Sequence, residues 1–232
     1  MKRLLIKIKY DGTAYHGYQV QDNALTVQEV FQNAVEKVFQ KRLDVIGCSR
    51  TDSGVHANMY CLCLDTDMNI SNEGVILALN TYLPNDIAVF DCTEVSQDFH
   101  PRYNCKSKEY LYVIFNGKYR NPFYDRYAYW YRYDLDEKYL DREAKAYVGK
   151  YDYPGFCSSK SDVEDTVREI YSFDVWREGD LVFFKVSGDG FLYNMVRIMV
   201  GTLLFVSQGK IKENELKSVI DSKDRKRAGR TA

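Results

Sequence analysis

Arg50 and Asp52 stand two residues apart in the stretch Gly47-Cys48-Ser49-Arg50-Thr51-Asp52-Ser53-Gly54-Val55-His56-Ala57. The stretch is polar, rich in small residues and flanked by apolar runs. Residues two apart in an extended loop point the same way. An arginine beside a carboxylate keeps it ionised at neutral pH. An ionised, positioned carboxylate can serve as a nucleophile or a general base. The same Arg–Asp pair can equally well brace a turn, and residue types alone leave both readings open. Gly47 and Gly54 allow a tight backbone path, and functional groups favour loops carried on a rigid sheet.

Other chemistries find little support. The cysteines at 48, 61, 63, 92, 105 and 157 form no Cys-x-x-Cys pair, and the three histidines have no metal-ligand spacing. Neither a zinc site nor a disulfide framework is expected; no metal and no cofactor is called for. Lys plus Arg total 32 and Asp plus Glu 33 in 232 residues, a formal charge of −1, which excludes a histone-like polycation. No run of 18 apolar residues exists to span a membrane. Met1 to Lys9 lacks the apolar core of a signal peptide, so a cytoplasmic protein is expected.

The elements that must hold the loop are readable from periodicity. Leu4, Ile6, Ile8 and Tyr10 alternate as a half-buried strand. Thr26 and Glu29 make a capping box before a helix over about 27–40. Leu43, Val45 and Ile46 read as a second strand, broken by Gly47, and Met59 to Leu64 as a third. Ser71 caps a helix carrying Val75, Ile76, Leu79 and Leu83, and Pro84 ends it. Ile87 to Val95 read as a fourth strand. The order β-α-β-β-α-β is the split βαβ or ferredoxin-like unit. The second half is looser. Tyr110, Tyr112 and Ile114 alternate, and Tyr127 to Tyr133 form an aromatic strand candidate. A helix follows Asp136, then strands at 171–175 and 182–186, a helix from Met195 to Leu204, and a short one carrying Leu216, Val219 and Ile220. The predicted class is therefore α+β: two ferredoxin-like halves, 1–104 and 105–232, related by a pseudo-twofold axis. They form a mixed, mostly antiparallel sheet with helices on one face and a central active-site cleft.

Charge is segregated despite its near-zero sum. Between Arg50 and Arg102 there is no Lys or Arg and there are eight acidic residues. Arg102, Lys106, Lys108, Lys118, Arg120 and Arg126 gather in one segment, and Lys223, Arg225, Lys226, Arg227 and Arg230 at the C-terminal end. These are either solvated faces or, for the stretch from Lys106 to Tyr133 with its tyrosines, an RNA surface or a dimer interface.

Four motifs in register then resemble the TruA family of tRNA pseudouridine synthases, whose active-site box runs Gly-x-Gly-Arg-Thr-Asp-Ala-Gly-Val-His-Ala. The 47–57 stretch is similar to that box, with Ser49 for Gly and Ser53 for Ala. Tyr10-Asp11-Gly12-Thr13-Ala14-Tyr15-His16-Gly17-Tyr18-Gln19-Val20-Gln21, followed by Thr26-Val27-Gln28, resembles the N-terminal signature, with Tyr18 where Trp is frequent. Ser107-Lys108-Glu109-Tyr110-Leu111-Tyr112 resembles the second motif. Gly190-Phe191-Leu192-Tyr193-Asn194-Met195-Val196-Arg197 with Gly201-Thr202 resembles the third. Family members continue past the point matching Ala232 through a Pro-bearing turn and one more strand, so an unpaired edge is expected in the second half.

The resemblance implies that uridine is isomerised to pseudouridine at positions 38, 39 and 40 of the tRNA anticodon stem-loop, without a cofactor, by a homodimer. It implies Asp52 as catalytic nucleophile, acting at C1′ or through a glycal. Tyr110 would stack on the extruded uracil, and Arg50 would hold the flipped nucleotide or fill its place. Arg197 would be a buried charge partnered by Asp52. His56 and Thr51 take supporting places, His56 as a loop-bracing hydrogen bonder.

Overall fold

The computed structural model describes residues 1–158 and 163–232. The chain divides into two compact units, Met1–Cys105 and Lys106–Ala232, each built around its own core.

In the first unit, β1 (Lys2–Tyr10) leads into helix α1 (Val27–Phe39), then β2 (Ile46–Gly47), β3 (Ala57–Thr66), α2 (Asn72–Tyr82) and β4 (Ile87–Val95). The sheet order is β2-β3-β1-β4 with every pairing antiparallel, which is the split βαβ arrangement. Leu4, Ile6 and Ile8 of β1 and Val27, Phe31, Ala34 and Val35 of α1 are buried in one cluster. The alternation of β1 and the 3–4 spacing of α1 place those residues on facing surfaces. Thr26 caps α1 by accepting from the Glu29 amide at 3.3 Å, and Ser71 caps α2 through the Gly74 amide at 3.1 Å. β2 is shorter than the apolar run suggested. Leu43 and Val45 pack inward without joining the ladder, and only Ile46 and Gly47 pair with β3.

The second unit contains β5 (Lys108–Phe115), β6 (Tyr129–Trp130), α3 (Glu137–Ala144), β7 (Gly149–Asp152), β8 (Val167–Glu178), β9 (Leu181–Gly188), α4 (Met195–Ser207) and α5 (Leu216–Asp221). Its sheet runs β6-β5-β9-β8-β7. The β5-β9-β8 core with α3 and α4 repeats the logic of the first unit. The aromatic run Tyr127 to Tyr133 contributes only two strand residues, which pair in parallel with the end of β5. Tyr131 turns into the core while Tyr127, Tyr129 and Tyr133 face solvent. β7 pairs with the start of β8 and has no counterpart in the periodicity reading, because its four residues are too few to show a pattern. No helix among the described residues is long and apolar enough to cross a membrane.

Candidate active site

The loop between β2 and β3 carries Arg50, Thr51, Asp52 and His56 on one short path. The Val55 amide donates to the Asp52 carbonyl at 3.2 Å, closing a turn over Ser53 and Gly54. Gly54 has φ +77°, the left-handed value that this turn position demands. Asp52 is half-buried at the turn's start. Arg50 is exposed, and its guanidinium makes no ion pair with Asp52 among the described residues. The bracing Arg–Asp pair is therefore not what holds the loop.

The bracing comes from the N-terminal signature and from below. The Tyr18 amide donates to the Thr51 carbonyl at 3.2 Å, and the Gly54 amide to the Tyr15 carbonyl at 3.1 Å. The Tyr10 hydroxyl and Thr51 Oγ1 hydrogen-bond at 2.9 Å. His56 Nδ1 accepts from the Gly12 amide at 3.0 Å and lies 3.0 Å from Asp11 Oδ1. His56 thus ties the loop's exit to the turn after β1. The contact is close enough to exclude side chains. A Cβ on Gly12 would sit 2.0 Å from the Val55 carbonyl oxygen, and one on Gly17 (φ +86°) 2.5 Å from the Thr51 carbonyl oxygen. Beneath the loop, Tyr18 and Tyr60 stack with ring centres 4.3 Å apart, and Tyr10 lies 5.9 Å from Tyr60. The Tyr60 hydroxyl donates to the Ser49 carbonyl and accepts from the Ser49 amide at 3.3 Å. Burial drives the Tyr18 and Tyr60 phenols far above their ordinary range, so both stay neutral. Gln28 completes the frame, accepting from the Val20 amide at 3.2 Å and donating to the Val45 carbonyl at 3.1 Å.

Tyr10, Tyr18, Tyr60 and Gln28 have no place in a search for reactive groups. Tyr10, Tyr18 and Gln28 are signalled in the sequence as aromatic and amide residues inside a motif whose length exceeds what a β-α connection needs, whereas Tyr60 on β3 carries no such signal.

Tyr110 and Arg197 belong to the second unit. Tyr110 lies on β5, half-buried, with its ring edge-on to Phe191 at 5.1 Å. Two residues on, burial pushes the Tyr112 phenol up to about 12, partly offset by the nearby charge of Arg197. Tyr110, Tyr112, Phe191 and Arg197 thus gather where β5 meets the start of α4. The expected burial of Arg197 is not seen. The residue is exposed, with Nε donating to the Ala232 carbonyl at 2.7 Å and Nη1 to Asn194 Oδ1 at 3.2 Å. Apolar periodicity made α4 look buried all round, but its first turn opens to solvent at this position. Gly201 and Thr202 have a packing role. The Thr202 hydroxyl donates to the Ile198 carbonyl at 2.7 Å and accepts from the Gly229 amide at 2.8 Å. No group of three or more His, Cys, Asp or Glu among the described residues could hold a metal ion.

Comparison with known proteins bears on this arrangement. The sequence profile of a family described as tRNA pseudouridine synthase matches residues 6–104 and 144–232. A protein named tRNA pseudouridine synthase A from Thermoanaerobacter sp. (strain X514) is 42% identical over 232 residues, covering 100% of this chain and 95% of that protein. The protein of the same name from Halalkalibacterium halodurans is 40% identical over 233 residues, covering 100% and 89%. That from Clostridium acetobutylicum is 42% identical over 230 residues, covering 99% and 94%. Among solved structures, one described as a Cbf5-Nop10-Gar1 complex is similar with a TM-score of 0.39 and 12% identity, covering 84% of this chain and 52% of that one. The profile match across both units and the identity along the whole chain show that this protein belongs to the tRNA pseudouridine synthase family.

Proposed function

We propose that the protein converts uridine to pseudouridine in the anticodon stem-loop of tRNA, at positions 38, 39 and 40, with Asp52 as the catalytic nucleophile. The observation that carries this reading is the turn at Asp52–Val55. It presents one carboxylate at the start of a backbone path pinned by Tyr10, Tyr15, Tyr18 and His56. Preorganisation of this kind is what a covalent or base-catalysed step at a sugar carbon requires. In the reaction the C1′–N1 bond breaks, the uracil turns, and C5 bonds to C1′. The C5 hydrogen leaves as a proton and N1 gains one, so no net oxidation occurs. A carboxylate suits the positive character that develops at C1′. Attack at C1′ and proton removal from the ribose both use the same ionised group.

The target base must leave its stack to be reached. Tyr110 supplies a flat partner for the extruded uracil, and Arg50, exposed on the loop, holds the flipped nucleotide or fills its place. Arg197 serves as a further substrate-binding cation, and His56 and Thr51 fix the loop. The enzyme acts in the cytoplasm as a homodimer, the exposed tyrosines of the segment following β5 meeting RNA, the partner subunit or both.

Release of tritium from tRNA labelled at uracil C5 tests the reaction. Wild-type protein should release it, and Asp52→Asn should abolish release while leaving tRNA binding largely intact. Undiminished release by that variant would overturn the role of Asp52.

A further inference from the structure

Lys9 stands on the central strand β1 with a bulge on either side. Toward β3 the pairing runs Ile8 with Tyr60 and then Tyr10 with Ala57, so Asn58 and Met59 together oppose Lys9. Toward β4 it runs Lys7 with Asp91 and then Ile8 with Val89, so Phe90 is the extra residue. Bulges re-aim side chains and recur beside active sites. Here they produce a row across three strands, on the sheet face opposite Leu4, Ile6 and Ile8. Met59 is 64% exposed, Phe90 is 41% exposed, and Lys9 between them is exposed. The Lys9 ammonium lies 5.0 Å from the Phe90 ring centre. Lys7, the previous side chain on this face, is neutralised by Asp91 at 2.7 Å. Lys9 makes no ion pair among the described residues, and the 51–101 segment around it supplies no other cation.

The row lies at the loop end of the sheet. Tyr10, next to Lys9, bonds Thr51, and Asn58 follows His56 by two positions. An exposed ring beneath an unneutralised ammonium, at the exposed end of this sheet face, meets both needs of an unstacked nucleotide. The ring offers a π-face for the base and the ammonium a charge for the phosphate.

We propose that Met59, Lys9 and Phe90 form a subsite for one single-stranded nucleotide adjoining the target uridine. The base stacks on Phe90 with Met59 along its edge, and Lys9 swings from the ring to the phosphate. The proposal rests on the RNA-modifying reading above and adds to it a place where the flanking strand is held.

The test measures binding of a fluorescent anticodon stem-loop RNA over a range of salt, beside pseudouridine formation in the same RNA. Phe90→Ala should weaken binding about tenfold, and Phe90→Trp should hold it within about twofold. Lys9→Ala should weaken binding and lower the log–log salt slope by about 0.7, one phosphate contact to a single strand. All three positions are on the surface, and unchanged thermal melts would confirm intact folding. Wild-type affinity and slope in both alanine variants would overturn the subsite, and normal product formation in them would leave the reaction standing. Weakened variants of a protein that makes no pseudouridine would uphold the subsite and overturn the reaction.

Discussion

Tyr60 and Tyr18 share a stack but not a role. The Tyr60 hydroxyl satisfies both backbone groups of Ser49 at the entrance of the Asp52 loop. Tyr18 buries its hydroxyl beside Tyr60, with no hydrogen bond of ordinary geometry among the described residues. Removing a bonded hydroxyl strands its buried partners, whereas removing an orphan relieves a desolvation cost. Tyr60→Phe should therefore destabilise the protein by about 1–3 kcal/mol and lower turnover. Tyr18→Phe should leave stability unchanged or raised. Urea melts of the two variants beside wild type check the contrast. Gly17→Ala combines a left-handed φ with a Cβ 2.5 Å from the Thr51 carbonyl oxygen. It should cost about 1–3 kcal/mol or more and reduce tritium release more than tRNA binding, because the strain is delivered to the residue beside Asp52.

At the scale of elements, each unit is tied at points that the strand pattern does not show. Arg3 on β1 grips Asp65 on β3 with two bonds, at 2.8 and 2.7 Å, and also donates to the Gln97 and Phe99 carbonyls beyond β4. The Arg3 hydrogen bond holds the Asp65 carboxyl below its ordinary value of 3.8. A depressed folded value means that the stabilisation is present above the ordinary value and fades as pH falls through the folded one. Stability should accordingly drop on acidification below about 3.8. Asp65→Asn should flatten that limb while lowering stability at neutral pH, as read by urea melts from pH 2 to 7. In the second unit, Thr202→Val would leave the buried Gly229 amide without its acceptor. A loss of about 1–3 kcal/mol is expected, with fraying of residues 228–232 seen by hydrogen exchange. A Cβ on Gly201 would lie 1.7 Å from the Arg230 carbonyl oxygen, so the Gly-Thr pair is a docking seat for that segment.

For the whole molecule, the formal charge of −1 misstates what an RNA partner meets. Several acids are already engaged: Asp65 with Arg3, Asp91 with Lys7, Asp86 with the Tyr15 hydroxyl. Pairing also trims the basic segment. Arg120 is bound to Asp125 at 2.5 Å, whereas Lys118 lies over the Tyr119 ring at 5.4 Å. Replacing Lys118 and Arg120 together by Ala should thus lower the salt slope of tRNA binding by about 0.9, one phosphate contact rather than two. Fluorescence titrations at several salt concentrations would read that slope. The six cysteines are all free thiols, and burial pushes Cys63 and Cys92 up to about 11. Both should resist alkylation at neutral pH until denaturant is added.

The first unit was legible because its signals are local. A capping box, a Ser cap, a terminal Pro and period-two strands each act within a few residues, and together they specify β-α-β-β-α-β. The candidate loop stood out through four motifs in register, since an arginine and an aspartate between small residues read equally well as a brace for a turn. What holds Asp52 was not legible. The bracing runs between residues some forty apart, Tyr10 to Thr51 and Gly12 to His56, and no local pattern reports a contact made by chain return. The exposure of Arg197 and the shortness of β6 follow the same rule, because periodicity gives a face and only packing decides whether that face is covered. By itself the sequence determined the motifs and most of the elements that carry them. The tertiary structure decided which hydroxyls, amides and glycines press the loop into place, because hydrogen bonds and close approaches depend on distances that only the folded chain sets.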